Sequence, residues 1–273
     1  PAINTVATGD KLQGEMNENN IRTIKGNGFE VQFDMAQGTI HQLTYGDEVV
    51  IAAGGGPRLN AFRAFVSNDN WCYQPWFANG LHNLKHRAEN AQVIKEKNGN
   101  VKITCTVVSQ APNAARLQSK NGRYDSGIHT LEENTDRPFG ADDFKFTTNQ
   151  IWTIYPDGSI ELQAAITSNN PGIVLARLGY EMGVPAQYDR FAYYGRGPVD
   201  NYNDRKTGQF IEQFSSTVAE QFTNWPKPQQ MGNHEETRWT SLCNAKGKGI
   251  LVVNEKPYAV SALNHSAMDM TMA

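Results

Sequence analysis

Val93-Ile94-Lys95-Glu96-Lys97-Asn98-Gly99-Asn100-Val101-Lys102-Ile103-Thr104-Cys105-Thr106-Val107-Val108 is the stretch that sets the fold class. Val101, Ile103, Cys105 and Val107 alternate with Lys102, Thr104 and Thr106. A period of two puts one set on a buried face and the other in solvent, the pattern of a half-buried strand. Asn98-Gly99 divides this run from the shorter one, Val93 to Lys97, and predicts a type I′ hairpin turn. The pair is an antiparallel hairpin, the unit from which all-β domains are built.

The same period recurs in both directions. Upstream, Phe29, Val31 and Phe33 oppose Glu30, Gln32 and Asp34; Gln37-Gly38 turns into Thr39 to Tyr45, and Gly46-Asp47 turns into Val49 to Ile51. Downstream, Phe144 to Tyr155 alternates, and Pro156-Asp157-Gly158 turns into a strand whose inward face is Ile160, Leu162, Ala164 and Ile166. Val174 to Met182, Arg190 to Tyr194, Thr237 to Cys243, Gly249 to Val253 and Tyr258 to Leu263 complete the set. One strand per 8–12 residues predicts about 15–20 strands in a large antiparallel β-sandwich with few short helices. Asn79 to Arg87 is the expected short helix, and residues 111–143, polar and poor in β-branched side chains, are expected to form a long loop. Residues 1–20 are expected to be a linker from a preceding domain. Residues 21–273 are the sandwich domain, expected to be truncated at its C-terminal end because Met272-Ala273 follows directly on a strand.

The chain has 273 residues, 39% hydrophobic and 10% aromatic, enough for a sizeable core. Its formal net charge of -3, without a run of like charges, gives no support to nucleic-acid binding or to an anionic membrane surface. No apolar run reaches the length of a membrane span. Compartment stays undetermined. Cys72, Cys105 and Cys243 include no CxxC pair, which argues against a zinc site or a disulfide framework; one disulfide with a free thiol is left open.

The densest concentration of unusual residues is Tyr193-Tyr194-Gly195-Arg196-Gly197-Pro198-Val199-Asp200-Asn201-Tyr202-Asn203-Asp204-Arg205-Lys206. Asp200 and Asp204 are the local candidates for a glycosidase carboxylate pair, which in a retaining enzyme needs a separation of ~5–5.5 Å and one raised pKa. Arg196 and Arg205 lie beside them and lower carboxylate pKa values, so a structural Asp/Arg network is the stronger reading. His234-Glu235-Glu236 lacks the second histidine of HExxH; His82 and His86 have metal-ligand spacing only if their segment is helical. No metal site and no catalytic residue is assigned. Trp71, Tyr73, Trp76 and Phe77, interleaved with Asn68, Asp69, Asn70 and Gln74, offer flat faces and polar rims of the kind that contact sugars, or else pack beneath a loop.

Gly195-Arg196-Gly197-Pro198-Val199-Asp200-Asn201-Tyr202-Asn203-Asp204-Arg205 resembles the G-x-G-P-x-E-N-Y-x-D-R signature of the C-terminal domain of family 2 β-galactosidases, with Asp200 in place of the usual Glu. Gly56-Pro57-Arg58-Leu59-Asn60-Ala61-Phe62-Arg63-Ala64, followed by Asn68-Asp69-Asn70, is similar to a second stretch of that family; Phe65 replaces its proline and Asn70 its final aspartate. Gln230 to Asn233 leading to Arg238-Trp239, and Tyr258 to Asp269, match further blocks, so the resemblance runs through about residues 21–273. It implies a galactose-mutarotase-like sandwich, the non-catalytic last domain of an enzyme that hydrolyses terminal β-galactosides with retention. It further implies that the catalytic glutamates lie in a preceding barrel domain and that the family's Mg and Na ions belong to other domains, leaving no cofactor here. The implied partners are that barrel, a β-galactoside reached through the full-length enzyme, and other copies of the parent in a homo-oligomer. Asn68, Asp69, Asn70, Trp71, Tyr73, Trp76 and Phe77 are the implied rim of the sugar pocket. Gly195, Arg196, Gly197, Pro198, Asp200, Asn201, Tyr202, Asp204 and Arg205 are the implied rigid corner. A free-standing aldose mutarotase or epimerase, or a plain carbohydrate-binding domain, is the alternative.

Overall fold

The computed structural model describes residues 12–17, 19–119 and 129–273. It is a stack of antiparallel sheets. β1 (Gln13–Met16), β2 (Ile21–Gly26), β3 (Phe29–Asp34), β4 (Thr39–Tyr45) and β5 (Glu48–Ile51) form a meander in that order. Phe29, Val31 and Phe33 all point inward, as their alternation requires. Gln13–Met16 lies inside the stretch expected to be linker, yet it pairs along β2 as an edge strand; residues 1–11 and 18 of that stretch lie outside the described residues.

β6 (Arg58–Asn60) leads to a short helix, α1 (Tyr73–Ala78). β7 (Lys85–Lys95) and β8 (Val101–Gln110) form the hairpin from which the fold was read. Its turn differs from the expected one. The N–H of Gly99 bonds to Glu96 O, the N–H of Glu96 bonds to Asn100 O, and φ is positive at Gly99 (94°) but not at Asn98. That is the three-residue loop with a left-handed glycine, which Lys97-Asn98-Gly99 accommodates as readily as a type I′ turn would use Asn-Gly. The predicted helix from Asn79 to Arg87 is not formed: a 3-10 turn at Leu81–Asn83 gives way directly to β7. The helix lies one segment earlier, where burial of Trp76 and Phe77 decides it.

The predicted loop 111–143 contains β9 (Asn113–Ser119) and β10 (His129–Pro138), an antiparallel pair. β11 (Phe146–Ile154) and β12 (Ile160–Ser168) complete a four-stranded sheet of order β12-β11-β8-β7. β13 (Gly179–Glu181), much shorter than the predicted Val174 to Met182, pairs with β6. β14 (Arg190–Gly197), β15 (Phe210–Thr217), β16 (His234–Cys243) and β17 (Gly249–Val260) form the last sheet, order β15-β14-β16-β17. The two segments predicted over 249–263 are one strand, β17. The chain closes with α2 (Ala267–Met272), whose N-terminus is capped reciprocally by Ser266 and Asp269.

The five-stranded sheet stacks on β8 and β11. Ile24, Val31, Phe33, Ile40 and Ile51 meet Val101, Ile103, Trp152 and Ile154 there, with Phe33 edge-on to Trp152 at 5.6 Å. A second apolar cluster joins Leu59, Phe62, Phe65, Trp76 and Phe77 to Leu117 and Phe146. Phe191, Tyr193 and Val218 form a third, under the last sheet. This is the all-β sandwich expected from the strand pattern. Cys72, Cys105 and Cys243 are all free thiols. Among the described residues no helix is long and apolar enough to cross a membrane.

Candidate functional site

The aromatic loop stands on a clamp. Arg63 donates from Nη2 to Asp69 Oδ1 at 2.7 Å and from Nε to Oδ2 at 3.2 Å, and Oδ2 also accepts the N–H of Val66 at 3.0 Å. A bidentate guanidinium–carboxylate pair fixes both position and orientation. Asp69 is buried by it, while Asn68, Asn70 and Trp71 are left exposed. Trp71 is 73% exposed, the most exposed of the large hydrophobic side chains among the described residues.

The other aromatics of the stretch turn inward. Trp76 is 1% exposed and donates its indole N–H to Val174 O at 2.8 Å; Phe77 is fully buried against Phe62. Tyr73 stacks on Phe65 at 4.7 Å. The structure therefore divides the sequence-predicted rim: Asn68, Asn70 and Trp71 face solvent, and Asp69, Tyr73, Trp76 and Phe77 anchor them. Replacing Trp71 with Ala is expected to move the unfolding free energy by no more than about 0.5 kcal/mol, which a denaturant titration would measure.

The signature corner is tied together throughout. The Gly197–Pro198 peptide is cis. A Cβ on Gly195 would enter Thr237, and one on Gly197 would enter Tyr193 and Phe214, so both positions demand glycine for close approach. Arg196 Nη2 donates to both oxygens of Glu236 at 2.9 Å, and its Nη1 to Gln209 O at 2.7 Å. Glu236 reaches it because β16 bulges there and Glu236 takes a left-handed φ of 53°. Its carboxyl is held below the ordinary glutamate range, first by Arg196 and then by Lys206 at 3.3 Å.

Asn201 is fully buried and uses its whole amide. Nδ2 donates to Arg196 O and Val199 O at 2.8 and 3.0 Å, and Oδ1 accepts the N–H of Glu235 at 2.8 Å. Asp200 accepts from Arg205 at 3.1 Å. The Arg205 guanidinium also lies 5.3 Å from the ring centre of Tyr202. Asp204, expected among the residues holding the corner, is exposed and bonds to no described residue.

His234, the first residue of the rejected metal motif, sits in the core beneath the corner and stacks on Tyr193 at 4.1 Å. Its two ring nitrogens face Gln221 Oε1 at 2.7 Å, through Nε2, and Arg196 O at 3.3 Å, through Nδ1. His82 and His86 fall on a 3-10 turn and a strand, so they share no helix face. Among the described residues no group of three or more His, Cys, Asp or Glu side chains is arranged to hold a metal ion.

One carboxyl stands apart. Desolvation pushes the Glu181 carboxyl upward, although the residue is solvent-exposed; Arg177 and Asn60 oppose the rise, followed by Arg58. None of the groups acting on it is a second carboxylate. Neither Glu181 nor Arg177 was singled out from sequence; the alternation Arg177-Leu178-Gly179-Tyr180-Glu181 was the available signal.

A sandwich carrying a clamped aromatic loop and a glycine-dependent corner defines the class. Residues 25–273 match the family described as beta galactosidase small chain, and the chain belongs to that family. It is similar to the beta-galactosidase of Priestia megaterium (strain DSM 319 / IMG 1521), 25% identical over 259 residues, covering 95% of this chain and 22% of that protein. It is also similar to the beta-galactosidase of Halalkalibacterium halodurans, 26% identical over 92% of this chain and 22% of that protein. The beta-galactosidase of Kluyveromyces lactis is 29% identical over 86% of this chain and 21% of that protein. The chain thus spans about a fifth of the length of these relatives.

Proposed function

We propose that this chain is a non-catalytic domain of a β-galactosidase and that it lends the loop Asn68–Trp71 to the rim of the sugar pocket. The observation that carries the reading is the contrast within one short segment: Trp71 projects into solvent while Asp69 and Trp76, on either side, are fixed in the interior. An exposed indole on a rigid base loses little side-chain entropy on contact and presents a flat apolar face to the C–H face of a sugar. The glutamates for hydrolysis come from another domain in this reading. Asp200 is tied to Arg205, and the raised Glu181 has no carboxylate partner to act with. The Mg and Na ions of the family are likewise assigned to other domains, and packing of this sandwich against a catalytic barrel and into an oligomer belongs to the same proposal.

The test is Trp71→Ala in the full-length enzyme. KM for a β-galactoside is expected to rise about tenfold, equivalent to ~1.4 kcal/mol, with an unchanged unfolding midpoint. An unchanged KM would remove the loop from the pocket.

A further inference from the structure

One face of the last sheet packs on the core, and the other is open. On β14, Phe191 and Tyr193 are buried and point inward, so Arg190, Ala192 and Tyr194 point outward. Strand register carries that outward set across the sheet. Tyr194 lies opposite Trp239, and Trp239 opposite Val253; Ala192 lies opposite Ser241, and Ser241 opposite Leu251. Directly paired residues share a face, with Cβ atoms about 5 Å apart. Tyr194, Val253 and Leu251 are 39%, 45% and 62% exposed, and Trp239 is half-buried between its neighbours. An antiparallel sheet with one wet face normally carries polar residues there. This one sets aromatic and aliphatic side chains side by side, the composition of an interaction surface.

The charges on this face are one-sided. Arg190, opposite Thr217 and Cys243, is exposed and makes no ion pair with a described residue. Arg238 lies over the Tyr194 ring, its guanidinium 5.7 Å from the ring centre, and donates to the Glu236 carbonyl, but it too has no carboxylate partner among the described residues. The Glu236 carboxylate is taken by Arg196 and Lys206. None of the outward residues in register from β14 to β17 is acidic.

We propose that this face is a docking surface for another domain of the enzyme, one that brings apolar side chains to Tyr194, Trp239, Leu251 and Val253 and carboxylates to Arg190 and Arg238. The inference rests on the reading of this chain as one domain of a larger β-galactosidase, and it is independent of the loop at Trp71. The chain spans about a fifth of the length of its relatives, and the rest of such an enzyme is the occupant. Charge complementarity selects against a second copy, because two such faces would set arginines against arginines with no carboxylate to answer them. Carboxylates on the partner satisfy both, and Arg238 is already oriented by its contact with Tyr194.

The experiment is maleimide labelling of Leu251→Cys combined with Cys243→Ser, in the 273-residue protein and in the full-length enzyme. Cys72 and Cys105 are buried and leave the new thiol as the reporter. Labelling is expected to be at least tenfold slower in the full-length enzyme. Adding Arg190→Glu should speed it at least threefold there, by setting a carboxylate against the partner's own. Unchanged urea midpoints of the 273-residue variants, at these exposed positions, show that they fold. Equal labelling in the two proteins overturns the proposal, and no effect of Arg190→Glu overturns the acidic complement. In sedimentation the 273-residue protein should run as its Leu251→Lys variant does; a dimer abolished by Leu251→Lys would seat a second copy on the face and overturn the proposal as well. The two failures are separable. Hydrolysis of a β-galactoside by the full-length enzyme tests the reading of the parent, and labelling tests the surface.

Discussion

Acidification from pH 6.5 to 4 will destabilise the protein steeply. His82, His86 and His234 have pKa values lowered to about 4, in each case first by burial. Both ring nitrogens of His82 are buried without a hydrogen-bond partner. His86 also faces the positive charges of Arg58 and Lys85. At His234, the Arg196 carbonyl and Asp200 offset part of the desolvation. The unfolded value is 6.5 for all three. Above that pH both states carry neutral imidazoles and the three contribute nothing to pH dependence. Below it the unfolded chain takes up protons that the folded one refuses until about pH 4, so stability falls with pH across this window. Each histidine costs about 3 kcal/mol when the window has been crossed. Three together are of the order of the whole stability of a domain. Urea midpoints at pH 7, 6, 5 and 4.5 should drop progressively, and His234→Gln should remove about a third of the slope. A midpoint unchanged between pH 7 and 5 would mean that these imidazoles are not held neutral.

Asn201→Ala is expected to be the most damaging single change at the signature corner. Its amide serves the carbonyls of Arg196 and Val199 and the N–H of Glu235, all at 3.0 Å or less. Truncation leaves these groups short of partners in a site without room for bulk water, at about 1–3 kcal/mol for each orphaned group. A loss of about 4 kcal/mol would lower Tm by roughly 10 °C in a protein of this size. Asn201→Asp should be no better, because it sets carboxylate oxygens against two carbonyls. Val199→Ala, at a side chain that is 55% exposed, is the control and should shift Tm by less than about 2 °C. A small shift for Asn201→Ala would contradict a corner held by this one amide.

The β architecture was legible wherever one face of a strand is dry and the other wet. Val101 to Val107 and Phe29 to Phe33 announce themselves because packing against a second sheet imposes the period. β10 does not, because beyond His129 it is exposed or half-exposed along its length and neither face selects apolar residues. β12 carries an apolar alternation, yet as an edge strand it leaves Ala164 in solvent. The hairpin turn was misjudged because both turn types accept Asn-Gly; backbone hydrogen bonding, not composition, selects between them.

At the candidate site, composition located the aromatic loop but could not say which rings face outward. That depends on the Arg63–Asp69 clamp, a contact between side chains six residues apart that exists only once the 3-10 turn at Ser67–Asp69 has formed. The signature corner was legible as a rigid element from its glycines and charges. The partner of Arg196 was not, because Glu236 reaches it through a bulge in a distant strand.

The central claim is that this chain shapes a sugar pocket whose bond-breaking groups lie elsewhere. The most direct measurement is hydrolysis of o-nitrophenyl β-galactoside by the purified 273-residue protein. The account predicts a rate equal to that of buffer, unchanged by Glu181→Gln. Turnover above buffer that is abolished by Glu181→Gln would contradict it, and would make Glu181 a catalytic residue.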